Sequence, residues 1–99
     1  SCIDTEAGYT YNGGTVIGIC PTGMQNESVN CKNFSTVGKS TTLSLTQNKY
    51  LVVNGIATIK LPVTISRGFV VALTGSSSVS ITQDNTTSYS LDANGVYFN

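Results

Sequence analysis

The sequence predicts an all-β fold, a small antiparallel β-sandwich or partly open barrel forming a single domain over residues 1–99. Three observations predict it. Short apolar runs alternate with hydroxyl residues at the period of two expected of a half-buried strand, and no stretch sustains the period of 3.6 that a helix needs. Ser, Thr, Asn and Gly occupy nearly half of the 99 positions, a composition that suits strand surfaces and turns. Asn-Gly occurs three times, at Asn12-Gly13, Asn54-Gly55 and Asn94-Gly95, and each pair is a candidate two-residue type I′ hairpin turn because both residues tolerate positive φ.

The elements follow in chain order. The first Asn-Gly predicts a hairpin of Gly8–Tyr11 with Gly14–Cys20, which puts Val16 and Gly18 on one face and Ile17 and Ile19 on the other. Residues 21–38 lack strand periodicity and are expected as a long loop, with a single helical turn over Met24–Val29. Thr41–Thr46 alternates cleanly, as does Val79–Thr82, so each should cover the core with one face and show hydroxyls on the other. Tyr50–Val53 and Ile56–Leu61 flank the second Asn-Gly and make the clearest hairpin, ended by Pro62, which has no N–H for a central ladder. Val63–Ser66 reads as a strand, Arg67-Gly68 as a break, and Phe69–Leu73 as a central strand buried on both faces. Gly75–Ser78 reads as a flexible tip, and a last hairpin joins Tyr89–Leu91 to Val96–Phe98. In all, about seven or eight strands are expected, centred on Phe69–Leu73 and the second hairpin.

A chain of this length buries only roughly 60–70% of its unfolded surface. With 39% apolar residues and no Trp, a covalent staple would be a useful supplement. Cys2, Cys20 and Cys31 all lie in the first third of the chain, and with no His to complete a metal site they point to an oxidising compartment and an N-terminal disulfide. Three cysteines cannot all pair within one chain. Spacing does not choose among Cys2 with Cys20, Cys20 with Cys31 and Cys2 with Cys31. The remaining thiol is either buried and free or joined to another chain.

Absent histidine also removes a Ser-His-Asp triad, an imidazole zinc site and the usual route to a neutral-pH thiolate. Five basic and five acidic residues leave no net charge, which argues against electrostatic binding to nucleic acid or an anionic membrane. The cations Lys32, Lys39, Lys49, Lys60 and Arg67 are expected as a scattered solvated surface, the alternative being one shared sheet face. No apolar run is long enough to span a membrane, and no signal peptide is recognisable, so a secreted form would be a mature chain or an excised domain.

Local motifs are weak. Gly38-Lys39-Ser40-Thr41 ends like a phosphate-binding loop, but Asn33 stands where that motif needs its first glycine. Asp4 with Glu6, or Asp84 with Asn85, offers oxygens to calcium without EF-hand spacing, and solvated turns are the better account. Glycosylation patterns at Asn26, Asn33 and Asn85 are of the number that chance supplies in so Asn- and Ser/Thr-rich a chain. Tyr9 and Tyr11 alternate onto one face of the first predicted hairpin, and with Asn12 they form a candidate glycan- or protein-binding surface; cross-strand packing is the competing account.

Around that hairpin, Cys2-Ile3, Tyr9-Thr10-Tyr11-Asn12 with Gly14, and Cys20 resemble the opening of the dispersin family of small secreted coat proteins of enteric bacteria. The resemblance covers about 20 of the 99 positions. It implies a disulfide-bearing β-protein lying non-covalently on the outer membrane, with Cys2 and Cys20 as the bridged pair and Cys31 without a counterpart. Such a bridge would remove roughly 3 kcal/mol of unfolded-chain freedom. The family is basic, whereas this chain is neutral.

The expected function is therefore a non-enzymatic, secreted or cell-surface protein, a coat or adhesive module taking no cofactor or metal. Its partners would be the bacterial outer-membrane surface, fimbriae or a host receptor, with no nucleic acid and no membrane span. The alternative is a receptor-binding domain of a phage fibre or a pilus or adhesin subunit, with oligomer formation through sheet edges.

Overall fold

Six consecutive buried residues, Gly68 to Leu73, organise the architecture. The computed structural model describes residues 7–22 and 30–98, and there the chain runs β1 (Val16–Pro21), α1 (Phe34–Val37), β2 (Gly38–Leu45), β3 (Tyr50–Val53), β4 (Ala57–Lys60), β5 (Ile65–Leu73), β6 (Ile81–Asp84) and β7 (Val96–Phe98). All ladders between these strands are antiparallel and make two sheets, ordered β1-β5-β2 and β6-β3-β4-β7. The all-β expectation holds, and the described strands do not close into a barrel.

β5 is the central strand of its sheet, and the register sorts its side chains into two sets. Val70 and Ala72 stand beside Ile19 and Ile17 of β1 and beside Thr41 and Lys39 of β2. Phe69, Val71 and Leu73 stand on the opposite face, with Cys20, Gly18 and Val16 on one side and Thr42, Ser40 and Gly38 on the other. Neighbouring residues Val70 and Val71 are both almost inaccessible, which in a strand requires cover on both faces.

One cover is the second sheet. Val70 and Leu45 pack with Leu51 and Leu61 in a cluster bordered by Ile17, Ile19, Leu43, Ile59, Ile65 and Ile81, so both sheets feed one core. Leu51 and Val53 face it from β3, opposite Ile59 and Ala57 of β4, and Tyr50, Val52, Thr58 and Lys60 share the reverse face. The other cover is irregular chain: Tyr9, Tyr11, Cys31, Phe34 and Val37 pack on Phe69, Val71 and Leu73. The chain thus lays an N-terminal strap and a short helical turn over the outside of the three-stranded sheet.

Several expectations are corrected. The first hairpin does not form. β1 spends its ladder on β5, where its apolar residues gain most, while Tyr9 instead makes a single parallel bridge to Cys31. The last hairpin does not form either: β7 pairs with β4, and Tyr89–Leu91 lies outside any strand because the Tyr89 side chain is engaged elsewhere. The Arg67-Gly68 break is absent, and β5 runs straight through it. Gly68 is there for space, since a Cβ would come within 2.5 Å of Leu45 Cδ1. The alternating segments begin and end differently from expectation, at Gly38–Leu45 and Ile81–Asp84, and Met24–Val29 lies outside the described residues.

The second hairpin is as expected in strands but not in turn. Only Gly55 has positive φ, at 81°, and Ile56 N–H donates to Val53 O at 2.9 Å, the signature of a type II turn in a three-residue loop. Gly95 likewise follows a turn in which its N–H donates to Asp92 O at 3.0 Å. Asn54 and Asn94 keep negative φ, so none of the Asn-Gly pairs forms the type I′ turn.

Gly68→Ala should lower stability by about 1–3 kcal/mol, because Leu45 is fully enclosed and has little room to yield. Urea unfolding should show a reduced midpoint with an unchanged slope. A variant as stable as the parent would show that the sheets can separate to admit a methyl group.

Candidate functional site

The predicted surface residues lie on the strap, and backbone pairing holds them there. Tyr9 N–H donates to Asn30 O at 3.0 Å, and Lys32 N–H returns a bond to Tyr9 O at 2.7 Å. Gly8 precedes this contact with φ 80°, and a Cβ there would meet Asn30 O at 3.0 Å, so glycine suits both the turn and the close approach.

Asn33 clamps the next turn of the strap. Its Oδ1 accepts the Tyr11 N–H at 3.0 Å and its Nδ2 donates to Tyr11 O at 3.0 Å, a two-point amide pairing across 22 residues of sequence. The Cys31 thiol donates to the same Oδ1 at 3.2 Å. Asn33 also occupies the position before α1, where an Asn commonly caps the helix with its side chain. Here it makes no such cap, because the amide is committed to Tyr11. Tyr11 then closes the loop that follows, its hydroxyl donating to Gly14 O at 2.7 Å.

Tyr9 and Tyr11 do share a face, as their spacing predicts, but that face points onto the apolar cluster of Phe69, Val71 and Leu73. Both rings are half-buried, and Asn12 alone of the three is exposed. The Tyr9 hydroxyl is buried without a hydrogen-bond partner among the described residues. Burial, and secondarily the charge of nearby Cys31, pushes its phenol up.

Of the cysteines, Cys31 is a buried free thiol and Cys20 is half-buried. Cys2 lies outside the described residues, as do Asp4, Glu6 and Asn26. Cys20 stands on the strap-facing side of β1, packed against the same cluster as Tyr9 and Cys31.

A second arrangement, on the reverse face of the four-stranded sheet, was not anticipated. Asp84 Oδ1 accepts the Thr86 and Thr87 N–H groups at 2.9 and 3.0 Å and the Thr86 hydroxyl at 3.3 Å. Oδ2 accepts the Tyr89 hydroxyl at 2.7 Å, and the Tyr89 ring lies against Tyr50 with centroids 4.9 Å apart and planes tilted by 59°. The backbone bonds from Thr87 and Thr86, then the Tyr89 bond, hold the Asp84 carboxyl far below the usual carboxylate range. The hydrogen bond to Asp84, then burial and the Asp84 charge, in turn push the Tyr89 phenol up. This carboxylate is saturated by its own loop. The Asp-x-Thr-Thr run was a legible signal for a side-chain-capped turn, whereas the Tyr50–Tyr89 contact joins segments too distant for any local pattern to reveal.

The remaining motifs fall apart in space. Gly38-Lys39-Ser40-Thr41 is strand β2, and a Cβ on Gly38 would come within 2.4 Å of the Phe34 ring. Lys39 and Arg67 occupy opposite faces of one sheet and Lys60 the reverse face of the other, so these cations do not form one charged surface. Among the described residues, no group of three or more Cys, Asp or Glu side chains is placed to hold a metal, no cleft opens, and no helix is long and apolar enough to cross a membrane. No protein-family model matches the sequence, and neither a curated protein nor a solved structure matches it.

Asn33→Ala should cost about 1–3 kcal/mol by stranding both Tyr11 backbone groups, and hydrogen exchange at the Tyr11 amide should accelerate more than exchange in β5. The Asp84 loop should respond to acid. A carboxyl depressed in the folded state contributes its full stability above its unfolded value of 3.8 and loses it as pH falls through lower values. The Tyr89 contact should therefore persist from neutrality to about pH 4 and fail in stronger acid, seen as a change in tyrosine near-ultraviolet circular dichroism. In Asp84→Asn that acid-dependent change should be absent.

Proposed function

We propose that this chain is a non-enzymatic secreted protein that acts by binding at the bacterial cell surface, a coat or adhesive module of the kind its N-terminal sequence resembles. The observation that carries the reading is the strap. Two tyrosines and an exposed Asn12 are held in one geometry by the Asn33 clamp and the Tyr11–Gly14 bond before any partner arrives. Half-exposed tyrosine rings beside an amide are suited to contacting glycans and protein loops, and fixing them beforehand lowers the entropy lost on binding.

A disulfide at Cys20, as the resemblance implies, would suit an oxidising compartment. With Cys31 free, Cys2 is the remaining cysteine of the chain, and a Cys2–Cys20 bridge would tie the start of the strap to β1 beneath it. That bridge completes the proposed architecture, a disulfide-stapled β-sandwich whose binding residues lie on an outer layer.

The second reading, a receptor-binding domain of a phage fibre or a pilus or adhesin subunit, draws on sheet edges. Among the described residues, β1 and β2 border one sheet and β6 and β7 the other, and such edges can accept a donated strand.

Purified protein added to bacterial cells or outer-membrane vesicles should sediment with them, and an Asn12→Ala, Tyr11→Phe variant that folds normally should bind more weakly. Protein that stays wholly in the supernatant would defeat the coat reading. Assembly into oligomers without affinity for cells would favour the subunit reading. Non-reducing peptide mapping should recover one Cys2–Cys20 peptide pair and an alkylatable Cys31 only after unfolding.

A further inference from the structure

We propose that Asn12 and Asn54 are sites of spontaneous succinimide formation and deamidation in the folded protein, and that the fold protects the chemically equivalent Asn94. The inference rests on the three Asn-Gly geometries and stands apart from the binding function.

The reaction needs a free glycine amide. After losing its proton to solvent base, the glycine nitrogen attacks the Asn side-chain carbonyl carbon. The new N–Cγ bond forms as the Cγ–Nδ2 bond breaks, and ammonia leaves. Water then opens the five-membered succinimide: breaking the ring N–Cγ bond yields aspartate, and breaking the original peptide C–N bond yields isoaspartate, whose backbone runs through the former side chain. No electron acceptor is involved. The geometric demands are an exposed Asn, a glycine amide free of hydrogen bonds, and a peptide unit free to rotate.

Asn12-Gly13 meets all three, and Asn54-Gly55 meets the first two, its own peptide unit being unbonded while the neighbouring Asn54 N–H donates to Ser80 O at 3.0 Å. Both asparagines are exposed, and a Cβ placed on Gly13 or Gly55 would find no atom within 4 Å. No hydrogen bond engages the amide of either glycine among the described residues. The Asn54–Gly55 peptide is the middle unit of the type II turn, whose closing bond runs from Ile56 N–H to Val53 O and leaves that middle unit unbonded.

Asn94-Gly95 meets only the first. Gly95 N–H donates to Asp92 O at 3.0 Å, and Gly95 O accepts the Lys60 N–H at 2.8 Å, so the peptide groups on both sides of Gly95 are held. The Asn94 N–H donates to Asp92 Oδ1 at 2.9 Å, and the Val96 N–H donates to the same oxygen at 3.0 Å. The Gly95 α-carbon also lies against Lys60, whose Cβ would be 3.6 Å from a Cβ there. Bringing its nitrogen onto the Asn94 side chain would break the turn and its attachment to β4.

Each conversion adds one negative charge to a chain whose formal net charge is zero, and the one at Asn12 places that charge on the strap beside Tyr11. Intact protein held in mildly alkaline buffer and sampled over days should show, by peptide mapping with mass spectrometry, Asn12 and Asn54 converting several-fold faster than Asn94. In concentrated urea the three sites should converge, because the local Asn-Gly chemistry is the same at each. Equal rates in native buffer, conversion of Asn94 first, or a ranking that persists in urea would each overturn the proposal.

Discussion

The two-sided burial of β5 is the constraint on which the remainder of the structure depends. A strand carrying Phe69, Val70, Val71, Ala72 and Leu73 in succession has no polar face to offer water, so the chain must build two covers for it. The four-stranded sheet supplies one through Leu51 and Leu61, and the strap, Cys31 and α1 supply the other. Gly68 admits Leu45 to the inner face, Gly38 admits Phe34 to the outer one, and neither position has space for a side chain. The irregular segments that carry Tyr9, Tyr11 and Cys31 are therefore a structural layer, and Tyr9 and Tyr11 are fixed because the sheet beneath them needs covering.

That dependence joins packing to the proposed activity. A strap made only of apolar residues would cover the sheet and have nothing to present. Here the rings give their inner edges to Phe69, Val71 and Leu73, and Asn33 satisfies the Tyr11 backbone that packing would otherwise strand. Cys20 and Cys31 enter the same cluster, Cys31 as a thiol donating to Asn33. On the far side of the molecule, Asp84 does by charge what Asn33 does by amide pairing, drawing a loop and Tyr89 onto Tyr50.

Much of the fold was legible because its signals are local. Alternation exposed β2 and β6, the unbroken apolar run exposed the core of β5, and the Tyr50–Leu61 segment announced its hairpin. The failures share a cause. Asn-Gly reports that a turn is easy at a position, not which strand lies beside the one that follows. After Asn12-Gly13 and near Asn94-Gly95, β1 and β7 bypassed their sequence neighbours for β5 and β4. The Arg67-Gly68 break failed similarly: glycine reads as a breaker until the leucine that fills its space is known. In the candidate site, Tyr9 and Tyr11 were identifiable from alternation, whereas the Asn33 clamp and the Tyr50–Tyr89 contact were hidden by sequence separation.

By itself, then, the sequence determined an all-β chain with a buried central strand, a neutral surface, and chemistry without imidazole, since these follow from residue types and short-range periodicity. Only the tertiary structure decided which strands are neighbours, which face the tyrosines cover, which cysteine stays a thiol, and which of three identical Asn-Gly pairs has its glycine amide bound. Those outcomes turn on burial and hydrogen bonding between distant segments, and the same dipeptide can satisfy its local preferences in either setting.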